Sequence, residues 1–216
     1  MTTIDHDLSE IERAVLDAVA ASRGHFRYES GHHGDLWLAL DALFLDARRV
    51  RHWASVLAHR VAVCRPDLVC GPLTGGAFIA QSLAAELGAD FVFAERLADD
   101  RAAVQYRIPD SLRATAQGQR ALIVDDAVNA GSALIKTSTD LADCGAVLAG
   151  FASLLALGEA ASAIAQEHGA PFFTLASLER GLWSPGDCPL CRSGVPLLYP
   201  DDPTSPAISG PGQSVQ

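Results

Sequence analysis

Residues 121 to 133 read ALIVDDAVNAGSA, and their order of apolar run, acidic pair and small turn decides how the rest of the chain is organised. Ala121, Leu122, Ile123 and Val124 form the short unbroken apolar run of a parallel strand with helices on both of its faces. Asp125 and Asp126 are expected to end that strand. Two ionised carboxylates side by side repel each other and resist desolvation, so their place there calls for a cation or a hydroxyl-rich ligand. Asn129, Ala130, Gly131 and Ser132 are small and turn-competent, and a helix is expected over 131 to 143 with Leu134 and Leu141 on its apolar side. At a strand-turn-helix junction the free backbone N–H groups and the helix dipole favour an anion such as phosphate. Acidic side chains beside it accept hydrogen bonds from sugar hydroxyls. The alternative is an ordinary turn carrying a solvated acidic pair.

Outward from this segment, strands and helices alternate. Leu8, Ile11, Val15, Leu16 and Val19 share one helical face, with Asp5 as its cap and Gly24 beyond its end. Residues 24 to 46 break helical spacing and read as strands and loops. Helical spacing returns over 47 to 63, a strand over 67 to 70, and a helix over 77 to 87. Further strands are expected over 91 to 94, 103 to 108, 147 to 154 and 171 to 175, and a helix over 159 to 168. The alternation predicts an α/β fold, a parallel sheet flanked by helices, whose ligands bind beyond the carboxyl ends of the strands. Cys70-Gly71-Pro72-Leu73-Thr74-Gly75-Gly76-Ala77 is a second strand-to-helix turn, whose backbone can approach an anion closely. Two loops are therefore expected to meet at one cleft.

The chain has 216 residues, of which 49% are apolar, with a mean hydropathy of +0.18. That bounds one domain with a sizeable core, expected over 1 to 200, and a Pro, Ser and Gly-rich disordered tail over 201 to 216. A hood over about 24 to 46, a core over about 47 to 180 and a cysteine-bearing segment over 181 to 200 are its expected parts. The formal charge of -10 argues against nucleic-acid binding. With neither a leader pattern nor a membrane-length apolar run, a cytoplasmic location is expected. Five cysteines do not read as a disulfide framework. Of 16 basic residues, only Lys136 is a lysine.

The segment 121 to 133 resembles the phosphoribosyl pyrophosphate signature of type I phosphoribosyltransferases, and Ala130-Gly131-Ser132-Ala133 looks most like the orotate phosphoribosyltransferases. The resemblance implies a type I phosphoribosyltransferase fold with a small N-terminal hood. It gives the ribose hydroxyls to Asp125 and Asp126, and the phosphate to Asn129, Ala130, Gly131, Ser132 and Ala133. It gives the pyrophosphate and its magnesium to the loop of Leu73, Thr74, Gly75 and Gly76. Magnesium prefers oxygen ligands and commonly binds through phosphates, water and carboxylates, here Asp125 and Asp126. The reaction implied is phosphoribosyl transfer to a nucleobase, most simply orotate, with pyrophosphate leaving, in a family that often forms homodimers.

In the same family a lysine-rich lid closes over the pyrophosphate. The interval here, Phe93 to Arg101, has no lysine, leaving Arg96, Arg101 or Arg107 to supply positive charge, with Arg96 the expected catalytic cation. The segment GHFRYESGHHGDLWL, residues 24 to 38, resembles the family's base-binding hood through Phe26 and Ser30-Gly31-His32. Cys188-Pro189-Leu190-Cys191 is half of a zinc knuckle that Cys64, Cys70 or Cys144 would have to complete, or a redox pair, or a structural turn. Two competing functions stay open: a regulatory protein that binds the donor or a nucleotide without turnover, and a transferase for a purine or an unusual base.

Overall fold

The computed structural model describes residues 2–28, 30–98 and 104–200. Its order of elements is α1 (Thr2–Ala18), β1 (Ala20–Arg27), β2 (His33–Ala39), a 3-10 turn (Leu40–Phe44), α2 (Ala47–Val61), β3 (Leu68–Pro72), α3 (Gly75–Leu87), β4 (Asp90–Ala98) and β5 (Val104–Arg107). Then follow α4 (Asp110–Ala116), β6 (Arg120–Val128), α5 (Ser132–Asp143), β7 (Val147–Leu157), α6 (Ala160–His168), β8 (Phe172–Leu178), β9 (Leu182–Trp183) and α7 (Pro189–Arg192). The expected tail and part of the expected lid, including Arg101, lie outside the described residues.

Six strands form the main sheet in the order β5-β4-β3-β6-β7-β8. All neighbours are parallel except β5, which runs antiparallel on the edge against β4. The run Ala121 to Val124 is almost completely buried because it lies between β3 and β7 with helices above and below. One face packs against α2 and α3 through Trp53, Leu57, Ile79 and Leu83, all fully buried. The other packs against α5 and α6 through Leu134, Leu141 and Ile164. Each such large apolar side chain contributes about 1.5–3 kcal/mol of burial free energy. After β3 the chain steps outward to β4 and β5, and after β6 it steps the other way to β7 and β8. The order therefore reverses between β3 and β6, which is where a sheet of this kind opens a crevice at its carboxyl edge.

Several local expectations need correction. β6 does not stop at the acidic pair but continues to Val128, because β7 stays in register through Ala156. Asp5 lies inside α1 rather than capping it, and Gly24 lies within β1. α3 begins at Gly75 rather than Ala77, and α4 carries no apolar stripe long enough to announce it.

A smaller antiparallel sheet, β1-β2-β9, forms the hood. Arg23 pairs with Leu36 but Phe26 pairs with Gly34, so β1 carries one extra residue, a bulge. The bulge breaks the in-out alternation and buries two consecutive side chains, His25 and Phe26. Leu198 bridges to Phe26, with Arg27 N–H donating to Leu198 O at 3.0 Å and Leu198 N–H to His25 O at 2.8 Å. The residues after α7 thus close the hood from its far side.

Candidate active site

The two glycine loops and the acidic pair meet at the reversal point of the sheet. A Cβ placed on Gly75 would overlap Asp126 Oδ2, and one on Gly76 would fall 2.7 Å from Asp125 Oδ1. The loop after β3 therefore lies directly against both carboxylates, at a distance only glycine permits. Leu73 N–H donates to Ala94 O at 2.8 Å, tying this loop to β4. Leu73 and Thr74 are exposed at its crest, and their shared peptide is cis.

Each carboxylate is braced by the next backbone amide. Asp126 N–H donates to Asp125 Oδ1 at 3.0 Å, and Ala127 N–H to Asp126 Oδ1 at 2.7 Å. Burial, and then the charge of Asp126, push the Asp125 carboxyl well above the ordinary carboxylate range. Asp126 is also raised, by burial, although the bond from Ala127 N–H opposes it. Such a pair disfavours two bare charges and favours a neighbouring cation or a shared proton.

A pocket of about 160 Å³ opens beside Asp125. Tyr28 and Ser30 of the hood, Tyr106 of β5 and residues 127–133 form the rest of its wall. Asn129, Ala130, Gly131, Ser132 and Ala133 all face it, as the sequence led us to expect. Gly131 caps α5 with φ 77°, and a Cβ there would overlap Ile164 Cδ1, so glycine is required twice over. No side chain caps the twelve-residue α5, whose first residues Ser132 and Ala133 line the pocket, so its first N–H groups are left available to an anion.

The hood meets the site differently from expectation. Phe26 is 1% exposed, facing Trp37 at 6.2 Å between ring centroids, and does not line the pocket. The bulge turns it into the core of the hood. Tyr28 takes the expected place, its hydroxyl donating to Leu36 O. Ser30 lines the pocket, and His32 sits one hydrogen bond behind it, Nδ1 to Ser30 Oγ at 3.2 Å.

Sequence reasoning missed Arg180. Its guanidinium lies 5.7 Å from the Tyr28 ring centroid and donates to Asn129 O at 2.8 Å, joining the hood to the turn before α5. Its Nε and Asn129 Oδ1 are buried polar atoms without a protein partner, and Asn129 lines the pocket. The neighbouring Gly181 N–H donates to Asp35 Oδ1 at 2.8 Å, which fixes the turn that presents the arginine. No motif surrounds Arg180, so only the fold reveals it.

The expected lid begins as a strand. Arg96 lies on β4, exposed, in register with pocket-lining Tyr106 on β5. Arg107 is paired with Asp110 at 2.7 Å on the surface. Lys136 Nζ donates to Val104 O at 2.7 Å and so anchors the start of β5 to α5.

The family model for the phosphoribosyl transferase domain matches residues 40–169. Among relatives, the orotate phosphoribosyltransferase of Wolinella succinogenes is 28% identical over 201 residues, covering 88% of this chain and 95% of the relative. That of Heliobacterium modesticaldum is 29% identical over 189 residues, covering 86% and 93%. Among solved structures, orotate phosphoribosyltransferase of Mycobacterium tuberculosis in complex with 5-phospho-alpha-D-ribosyl 1-diphosphate superposes with a TM-score of 0.57 at 18% identity, covering 80% of this chain and 89% of the other. Adenine phosphoribosyltransferase from Thermoanaerobacter pseudethanolicus superposes at 0.61 with 16% identity, covering 77% and 99%. These structures share the fold, whichever base they act on.

Proposed function

The chain belongs to the phosphoribosyl transferase domain family, and from that premise we propose that it transfers a phosphoribosyl group from phosphoribosyl pyrophosphate to orotate. The observation that carries this reading is the contact of Asp125 and Asp126 with Gly75 and Gly76, beside the uncapped amino end of α5. One side accepts sugar hydroxyls, one supplies backbone donors to a phosphate, and the third meets a pyrophosphate.

In the proposed reaction the bond from the anomeric carbon to the pyrophosphate oxygen breaks and a bond to a ring nitrogen of the base forms. Positive charge gathers on the ribose, where Asp125 and Asp126 favour it, while negative charge grows on the departing pyrophosphate beside the amides of residues 73 to 76. Arg96 is the proposed cation on that side. Magnesium fits the all-oxygen donor set of the acidic pair, whose raised proton affinity marks an uncompensated charge site. When bound, it neutralises charge on the leaving group.

The base is proposed to lie between Tyr28, Ser30 and Arg180. A half-buried guanidinium suits a carboxylated pyrimidine, because arginine and carboxylate form paired, charge-assisted hydrogen bonds. A cytoplasmic, reducing setting agrees with five free cysteines, and no helix among the described residues is long and apolar enough to cross a membrane. A homodimer is proposed through the apolar surface of Leu45, 85% exposed, and Phe78, 50% exposed, the latter packed on Phe44.

Incubation with magnesium, phosphoribosyl pyrophosphate and orotate is expected to deplete the ultraviolet absorbance of orotate, while adenine in the same assay is left unchanged. Donor binding by calorimetry without turnover of any base would instead favour a binding protein, the reading that the lysine-free lid motivates.

A further inference from the structure

Of the readings that the sequence left open for Cys188 and Cys191, completion of a zinc knuckle by another cysteine is not what the structure offers. Cys64, Cys70 and Cys144 are buried within the main domain. The groups that meet the pair come from the hood: His25 on β1 and His33 on β2. One ligand atom from each of these four residues lies within 4.8 Å of every other. His25 Nε2 is 3.3 Å from Cys188 Sγ, 3.7 Å from Cys191 Sγ and 3.2 Å from His33 Nδ1, and His33 Nδ1 is 3.2 Å from Cys191 Sγ.

These separations are the edges of a small tetrahedron. Zinc binds thiolate sulfur at about 2.3 Å and imidazole nitrogen at about 2.0–2.1 Å, so the edges of its coordination shell fall at about 3.3–3.8 Å. Hydrogen bonding alone accounts poorly for the cluster. His25 Nδ1 lies 2.8 Å from Val195 O, and a carbonyl only accepts, so this nitrogen carries the proton and Nε2 is left as a bare lone pair. Three neighbours converge on that one lone pair. A cation at the centre satisfies all four groups at once, and the bond to Val195 is the outer-shell support that orients a ligating histidine. Two thiolates, two neutral imidazoles and a dication sum to zero charge, which suits a site where His25, His33 and Cys188 are all buried. Cys191 is exposed and gives the ion a way in.

We propose that His25 Nε2, His33 Nδ1, Cys188 Sγ and Cys191 Sγ bind one structural zinc ion that fastens the segment after β9 to the hood. Four protein ligands leave no open position, so the ion holds structure and does no chemistry. The β1–β2 connection that it steadies carries Tyr28 and Ser30 to the pocket, so the staple sits behind the base side of the site.

The test uses the full chain purified under reducing conditions without chelator, and its readout does not depend on turnover of any base. Elemental analysis is expected to find about one zinc per chain. Exchange into cobalt is expected to give thiolate-to-metal charge-transfer bands with the intense visible bands of a tetrahedral ion. Cys191→Ser and His33→Asn are each expected to lower zinc content at least tenfold. Folded wild-type protein without zinc and without cobalt bands overturns the proposal, as does a Cys188–Cys191 disulfide in the fresh protein. Zinc retained in full by both variants overturns it as well. The cobalt spectrum is read on the unaltered chain, so a variant that fails to fold does not shield the idea.

Discussion

Replacing Gly75 with alanine tests whether the acidic pair and the glycine loop act as one site. The added Cβ overlaps Asp126 Oδ2 and falls 2.5 Å from Asp126 Cγ. Non-bonded carbons settle at about 3.5–4.0 Å, so carboxylate and loop must part by about 1 Å. A displacement of about 1 Å between groups that hold reactants for attack costs about 100-fold in rate. That corresponds to about 2.7 kcal/mol of transition-state stabilisation. The fold itself should not suffer, because Gly75 opens α3 without a positive φ and alanine is the better helix former by about 1 kcal/mol. The assay is kcat/KM for phosphoribosyl pyrophosphate in Gly75→Ala, Asp126→Ala and the double variant, with Tm as the control for folding. Since the methyl does its harm through the Asp126 carboxylate, removing that carboxylate makes room for it. The double variant is therefore expected to be no worse than Asp126→Ala alone, a strong departure from additivity. A loss of less than about tenfold in Gly75→Ala, or full additivity in the double variant, would refute the reasoning.

Three further outcomes are expected. Gly131→Ala meets both a left-handed φ and the Ile164 side chain; it should destabilise the protein by about 1–2 kcal/mol or more in urea unfolding, and an unchanged midpoint counts against the double requirement. Asp125 binds its proton more tightly folded than unfolded, so the folded state holds more protons above the unfolded pKa of about 3.9 and loses stability as pH rises from there towards the folded value. Asp125→Asn should then make the ligand-free protein more stable at neutral pH and flatten that slope while weakening donor binding, and denaturation curves that match wild type across the pH range would contradict the assignment. Arg180→Gln removes a half-buried charge beside the proposed base side; KM for orotate should rise by about 10–100-fold, as for loss of a charge-assisted hydrogen bond, with a smaller change in donor affinity by calorimetry, and the idea is sunk if KM holds steady.

What the sequence revealed depended on how local each signal was. The run from Ala121 to Ala133 contains a whole strand, a turn and a helix start, so its chemistry could be read without neighbours. The loop at Leu73 to Gly76 was legible as a turn, and only the parallel pairing of β3 with β6 shows why its glycines must be glycines. Phe26 was placed at the base by the hood's resemblance alone, which cannot foresee a bulge; the extra residue in β1 turns it into the hood and leaves Tyr28 at the pocket. Arg180 and the histidine partners of Cys188 were out of reach for a different reason. Each meets its partners across more than fifty residues of chain, and no spacing rule spans such a distance.

The bond between Leu198 and β1 fixes an order of events during synthesis. The hood's first strand leaves the ribosome well before the backbone that completes it and the cysteines that meet His25, which emerge some 170 residues later. Domains fold as they are made, from the amino end, but here the β1–β2 hairpin must wait, with Phe26 and His25 uncovered, until residues 188 to 198 are out. The sheet and its two glycine loops can be finished first, and the wall proposed to receive the base follows them. A nascent chain halted before Cys188 would hold the proposed donor half of the pocket without the proposed acceptor half.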